Sequence, residues 1–509
     1  MKRTLYFLLL LCIAFASCKK GSKTNDQEPT PEEKAEALRL VKDSIYLYAQ
    51  ELYLWYDALP SAAVFNPTQY TGSSFINAFQ AEIDAFSQLK INPSTNQPYE
   101  YDASYPGTAK YSYIDEGQAA TSIGGTGGDF GFALTYITSS DLRIRYVYPG
   151  SSAATQNIAR GYKVTAINDA SVALTTGGNN DPAYIRISNA LGENSIKLTL
   201  LRPDGTTFTT TVSKTTYTIN PVIKYSTITS STGKKVGYFA FSRFTTLSNA
   251  QAKIDEAFAK FATDNITELV VDLRYNGGGA VETSQYLANY MVPASKNGTT
   301  MFTEYFNDKL QRDVYPLLAR KYRIDKGDFS TATNTYKFSK KGSLNLNRVF
   351  FLVTGNTASA SELLINNLQP TLPQGVQLIG KTTYGKPVGF FGIPVGNASQ
   401  YDLYISEFES RNGAGKADFY QGMVPASANY PGAVVDDDVT KDFGDPNEAM
   451  LVRALNFIDK GTYTVTGLAS TFSEKTQENQ MLRQANQLID LKQQFSGAVH
   501  SGNLKRLNK

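Results

Sequence analysis

The sequence predicts an α/β fold class. An alternating strand–helix body covers residues 216–459, preceded by a region of glycine turns and short strands over 116–215 and a small helical region over 32–115. Three observations carry this. Apolar runs of strand length alternate with helical periodicity from Lys235 to Leu368. Between Gly124 and Asn168, glycine turns separate short strand-like runs. From Glu32 to Trp55, Ala35, Leu38, Val41, Ile45, Tyr48, Leu52 and Trp55 recur at three- and four-residue steps. The 509 residues are 41% hydrophobic and 19% charged, which suffices for several buried cores. A formal charge of +3 gives no global electrostatic argument for nucleic acid.

At the N-terminus, Met1–Thr4 is a short basic start. Leu5–Ala16 is an apolar run too short to span a bilayer but suited to a signal-peptide core. It runs into Ala16-Ser17-Cys18, two small residues before a cysteine, which resembles a bacterial lipoprotein signal. That resemblance implies a signal peptide over 1–17, lipidation of Cys18 and a solvated linker over 18–31. The body would then be lipid-anchored in the bacterial cell envelope. Lys19 stands where an aspartate would retain a lipoprotein at the inner membrane, so the expected site is the outer membrane. No other stretch is long and apolar enough to cross a membrane. In the helical region, the aromatic stripe of Tyr48, Tyr53, Trp55 and Tyr56 reads as core, and Asn92–Pro106 as a loop.

Within 116–215, Gly124–Phe132 precedes the strand-like Ala133–Ile137 and Ile144–Tyr148. Pro149-Gly-Ser-Ser-Ala-Ala154 then opens a helix, and Gly161–Asn168 ends a strand in Ile-Asn. This ordered set is similar to a PDZ domain, although Tyr162-Lys163 stands where an aspartate is commoner. The resemblance implies that the loop Gly128, Asp129, Phe130 and Gly131 receives a peptide's terminal carboxylate. The adjacent strand edge would take the peptide by β-augmentation.

In the body, Lys235–Phe241, Glu268–Leu273 and Arg348–Thr354 read as strands, and Ala250–Thr263, Val281–Tyr290 and Ser361–Leu368 as helices. The polar and aromatic stretch 293–346 reads as an insertion. Residues 460–509 form a polar tail in which Glu474–Phe495 has the periodicity of a peripheral helix.

Histidine occurs once, at His500 in that tail, and cysteine only at Cys12 and Cys18. A Ser-His-Asp triad, a Cys-His pair, a thiolate or histidine metal site and a disulfide framework are therefore not available to the core. Three motifs carry the remaining chemistry. Asp272-Leu-Arg-Tyr-Asn-Gly-Gly-Gly279 follows a buried strand, and its glycines let backbone N–H groups face a site, although Asp272 and Arg274 could equally be a structural ion pair. Thr354–Glu362 is a strand-to-helix turn that displays Thr357, Ser359 and Ser361; Ser359 with Glu362 also fits a helix-capping box. Gly380–Gly389 carries Lys381 and Lys386, and a desolvated lysine can replace histidine as a base. Gly375–Thr382 satisfies a P-loop pattern, but its apolar strand residues lie inside the supposed loop. Ser231-Thr-Gly-Lys234 sits in a hairpin turn, and Asp436-Asp-Asp438 reads as a solvated acidic run.

In this order the motifs resemble the C-terminal processing (tail-specific) peptidases over roughly residues 120–457. These are Ser/Lys-dyad serine proteases with a PDZ domain and a crotonase-like core. The resemblance implies Ser359 as nucleophile, Lys386 rather than Lys381 as base, and an oxyanion hole from the N–H of Ala360 with Gly277 or Gly278. It implies protein or peptide substrates, with no metal or organic cofactor. Gln421–Pro425 and Phe443–Ala449 resemble the segments that close the family's core. Pro370 and Phe390 stand where some members keep a third polar residue, which leaves a catalytically silent peptide-binding lipoprotein as the alternative reading.

Overall fold

The computed structural model describes residues 30–176, 180–396, 399–465, 482, 485–486, 497–499 and 505–506. The leader 1–17, Cys18, nearly all of the linker and most of the expected helix Glu474–Phe495 lie outside the described residues.

Helix α1 (Pro31–Leu52) starts on a capping box: Thr30 Oγ1 accepts from Glu33 N at 3.2 Å, and Glu33 Oε2 accepts from Thr30 N at 2.8 Å. Helix α2 (Phe75–Ser87) is capped by Ser74 Oγ on Asn77 N at 3.3 Å. Strand β1 (Tyr113–Asp115) then pairs with Tyr401–Tyr404, far along the chain. The apolar faces of α1 and α2, including Tyr48, and the residues Tyr53 and Trp55 just after α1 share one core with Phe306, Leu318, Phe391, Leu403 and Phe408. The helical region is therefore half of a joint core, and the boundary expected at residue 115 runs through a shared sheet. The stretch 293–346 also differs from an insertion. Thr300–Phe306 sits inside a four-stranded sheet, between Thr335–Lys337 and Phe408–Asn412.

Residues 132–213 form a β-module of strands β2 (Phe132–Thr138), β3 (Asp141–Val147), β4 (Lys163–Ile167), β5 (Ser195–Leu201) and β6 (Thr207–Ser213), laid out in the order β6-β5-β4-β3-β2. A one-turn helix, Ser152–Thr155, opens on Ser151 as the Pro149–Ala154 signal predicts. Helix α3 (Pro182–Gly192) starts at Asp181, whose Oδ1 accepts from Ala183 N at 2.8 Å. Strand β2 is the outer edge of this sheet.

The body is a six-stranded sheet. Strand β7 (Val222–Thr229) pairs antiparallel with β8 (Lys235–Phe241). Helix α4 (Leu247–Thr263) leads to the parallel strand β9 (Glu268–Asp272) and a glycine turn ending in the short β10 (Gly278–Ala280), then helix α5 (Val281–Met291). Strand β11 (Val349–Val353), helix α6 (Ala360–Leu368), strand β12 (Val376–Gly380), strand β13 (Gly432–Val434) and helix α7 (Ala449–Lys460) complete it, in the sheet order β7-β8-β9-β11-β12-β13. Period-two alternation assigns the faces. Phe239, Phe241, Leu269, Val271, Phe351, Val353 and Leu378 pack on the α4–α5–α6 side, whereas Val236, Tyr238, Val270, Phe350, Leu352 and Ile379 pack against α7. Buried on both faces, these strands have the uninterrupted apolar runs that made them readable in sequence. The carboxyl ends of β9 and β11 deliver the two turns that build the site, as parallel sheets commonly do.

Candidate active site

The turn after β9 is fixed from below. Tyr238 Oη donates to Asp272 Oδ2 at 2.6 Å, and Arg274 pairs with Asp272 at 2.8 Å and with Glu448 at 2.9 Å. Asp437 lies 2.5 Å from Arg274 and 2.7 Å from Arg160 of the β-module, and accepts from Tyr275 Oη. Burial pushes the Asp437 carboxyl up, but Arg160 and Arg274 outweigh it and hold the group well below the usual carboxylate range. The acidic run expected to be solvated thus supplies the central member of a mostly buried ion network. The sequence could not reveal this, because Arg160 is contributed from another part of the chain.

Asn276 joins the glycine turn to the turn after β11. Its Oδ1 accepts from Gly278 N at 2.9 Å, and its carbonyl accepts from Ala358 N at 3.1 Å and from Ser361 Oγ at 2.9 Å. Gly278 has φ +103°, and a Cβ there would lie 2.9 Å from Ser359 Cβ and 3.0 Å from Ala360 N. Close approach, not N–H display, makes glycine necessary at this position. Of the two expected donors beside Ala360, Gly278 has its N–H committed to Asn276. The N–H groups of Gly277 and Ala360 meet no acceptor among the described residues. Of the two alternatives, Gly277 is thus the one whose N–H stands uncommitted beside that of Ala360.

The three hydroxyls of the second turn also separate. Thr357 Oγ1 donates to Leu273 O at 2.8 Å and accepts from Thr354 N, and Ser361 Oγ is committed to Asn276. Ser359 Oγ is buried without a hydrogen-bond partner among the described residues. Its backbone sits at φ +60°, ψ −111°, a strained conformation for a non-glycine residue. Only half of the expected capping box forms around this hydroxyl: Glu362 Oε2 accepts from Ser359 N at 2.8 Å.

The same carboxylate reaches the lysine segment. Glu362 Oε2 accepts from Lys386 N at 2.8 Å, and Oε1 from Gly385 N at 2.7 Å and Thr383 Oγ1 at 2.5 Å. One buried side chain therefore clamps the backbones of Ser359 and Lys386 together. Burial raises the Glu362 carboxyl above its ordinary value, and these hydrogen bonds oppose the rise. Lys386 is 1% exposed. Burial pushes its amine well below the usual lysine range, against the pull of Glu100 and Glu362. Its Nζ lies 3.8 Å from the Phe390 ring centroid and makes a long 3.5 Å contact with Tyr111 O. Lys381, by contrast, is half-exposed and paired with Asp436 at 2.9 Å.

Sequence reasoning missed Tyr111, Glu100 and Asn276. Tyr111 Oη also donates to Gly385 O at 2.5 Å, and Glu100 accepts from Tyr111 N at 3.0 Å. The loop of the β-module turns inward more than expected. Phe130 is buried in the module core, and Asp129 Oδ1 takes Gly131 N at 2.7 Å and Tyr217 Oη at 2.8 Å. Gly128 and Asp129 line a cleft of about 760 Å³ shared with Tyr113, Tyr148 and Arg243. Among the described residues no group of three or more His, Cys, Asp and Glu could hold a metal ion.

Residues 235–425, which hold both turns and the lysine segment, match peptidase family S41. Among solved structures, the chain resembles an S41 protease from Bacteroides fragilis, with 22% identity over 82% of this chain and 97% of that one at a TM-score of 0.58, so the two share the mixed α/β fold. The photosystem II D1 C-terminal processing protease is 16% identical over 78% of this chain and 93% of that one, with a TM-score of 0.42. Mature CPAF is 11% identical over 84% and 99%, with a TM-score of 0.44. No curated protein matches the chain.

Proposed function

We propose that the chain is a serine endopeptidase that cleaves proteins or peptides by a Ser359/Lys386 dyad. The observation that carries this is a buried, unpartnered Ser359 hydroxyl on a strained turn, clamped through Glu362 to a fully buried lysine. In the reaction, Ser359 Oγ attacks the scissile carbonyl while neutral Lys386 accepts its proton. The N–H groups of Ala360 and Gly277 hold the tetrahedral oxyanion; each such donor contributes about 3 kcal/mol to the transition state. The C–N bond then breaks as Lys386 returns the proton to the leaving amine, and water releases the acyl group with the lysine again as base.

The β-module reads as a PDZ domain that captures a substrate's C-terminal residues at the edge of β2 and the Gly128–Gly131 loop. Asp129 leaves Gly128 and Phe130, not Gly131, as the N–H donors for a terminal carboxylate. Through Cys18 the enzyme is placed on a lipid anchor at the bacterial outer membrane.

The test is mass spectrometry of an unfolded protein incubated with the chain. Ser359→Ala and Lys386→Ala are expected to lower cleavage by at least about a thousandfold, as loss of a nucleophile or its base does. Lys381→Ala is expected to leave it unchanged. Undiminished cleavage by Ser359→Ala would remove the mechanism. The second reading, a silent peptide-binding lipoprotein, draws on the near-complete burial of Ser359 and Lys386, each 1% exposed. Covalent labelling of Ser359 by a fluorophosphonate separates the two.

A further inference from the structure

The described residues beyond 480 return to the body at three places. Ala485 is buried in the β-module core, with Leu482 packed beside it. Asn486 Oδ1 accepts from Tyr136 N at 2.7 Å, and its Nδ2 donates to Tyr136 O at 3.0 Å. Tyr136 lies in β2, the sheet's outer strand, so the Asn486 amide takes backbone groups that an added strand would otherwise pair with.

Further on, strand β14 (Gly497–Val499) pairs in parallel with β10: Gly497 opposes Gly278, Ala498 opposes Gly279 and Val499 opposes Ala280. Val499 also bridges Phe390, whose ring lies against Lys386. Its side chain is buried among Ala119, Ile123, Ala280, Phe390 and Tyr404. Lastly, Lys505–Arg506 pair with Tyr322–Arg323.

The chain's distal segment thus lies on two backbone edges at once: the outer strand of the β-module, and the strand whose Gly278 packs against Ser359. Both edges suit an extended peptide, and the side-chain socket at the second is apolar and sized for a small aliphatic residue.

We propose that this segment is a tethered self-ligand that occupies the β2 edge through Ala485 and Asn486 and the β10 edge through Gly497–Val499, keeping substrate from the Ser359–Lys386 site until a competing peptide displaces it. Tethering makes this effective with few contacts. Being part of the same chain raises the local concentration of the segment to about the millimolar range, so weak strand pairing holds against dilute competitors. The inference rests on the serine-peptidase reading of the same site. It adds that the resting enzyme is self-inhibited and that its preferred occupant is an extended run with a small aliphatic side chain.

The test uses the full chain. Val499→Asp places a charge in the apolar socket, and Asn486→Ala frees the β2 edge. Val499→Asp is expected to cleave an unfolded protein such as casein about fivefold faster than the parent or more, Asn486→Ala is expected to act in the same direction, and a synthetic peptide of residues 480–506 is expected to return the rate toward the parent's. A second readout does not need activity. With Ser359→Ala in both chains, the fluorescein-labelled peptide is expected to bind the Val499→Asp chain and not its parent by anisotropy. Equal cleavage rates for Val499→Asp and the parent, or equal peptide binding by the two Ser359→Ala chains, overturn self-inhibition while Ser359-dependent cleavage leaves the peptidase reading standing. Cleavage that persists in Ser359→Ala brings down both.

Discussion

A lysine can act as a base only when it has lost its proton, and Lys386 is placed to do so. Because burial lowers its pKa, the rate of cleavage is expected to rise with pH and reach a plateau below the pH at which an exposed lysine would titrate, roughly 10.4. Below the midpoint the group is an ammonium and cannot accept the Ser359 proton. A basic limb with its midpoint at or above about pH 10.4 would contradict an amine whose pKa burial lowers. At the residue scale the motif's own chemistry offered three hydroxyls, and only the family resemblance pointed to Ser359. Hydrogen bonds to Leu273 and Asn276, which belong to a different turn, commit the hydroxyls of Thr357 and Ser361. Composition was more decisive: one histidine, in the tail, left lysine as the natural base.

At the scale of elements, helix α6 and the lysine segment are bound through the carboxylate of Glu362. Glu362→Gln replaces an acceptor oxygen by an NH₂ group facing buried donors. It is expected to cost about 1–3 kcal/mol, measured as a lower midpoint in urea. It also removes a negative charge that raises the Lys386 pKa, so any remaining activity should show its basic limb shifted to lower pH. A shift to higher pH would contradict the assigned electrostatics. The Arg160–Asp437–Arg274 network makes a second prediction. Asp437→Asn leaves two buried guanidinium groups short of a counter-charge and is expected to destabilise the fold by about 3 kcal/mol, read by thermal or urea unfolding. The core strands and helices were legible because buried runs and three-to-four-residue periodicity are local signals. The network was not, since its members come from three separated stretches. The capping-box signature at Ser359 misled in part, because the backbone half of the box forms while the hydroxyl stays out of it.

At the scale of the whole molecule, the N-terminal helices, the strand β1 and residues from 306 to 408 form a single core. A chain beginning at residue 116 would expose the apolar surface that α1 and α2 cover. It is expected to aggregate or to melt well below the parent, as light scattering and thermal unfolding would register. A truncated chain that stays monomeric and equally stable would contradict the joint core. The sequence suggested separable blocks because its composition changes near residue 115. What it hid was that Tyr111, 275 residues before Lys386, closes over the amine. An amine in water titrates at roughly pH 10.4, and the folded enclosure lowers the pH at which Lys386 gives up its proton. Tyr111 precedes Lys386 in the order of synthesis, yet neither is of use until they meet. In the proposed mechanism, proteolytic competence is therefore a property of the finished tertiary structure, because an unfolded copy has its lysine in water and lacks the enclosure that favours the neutral amine.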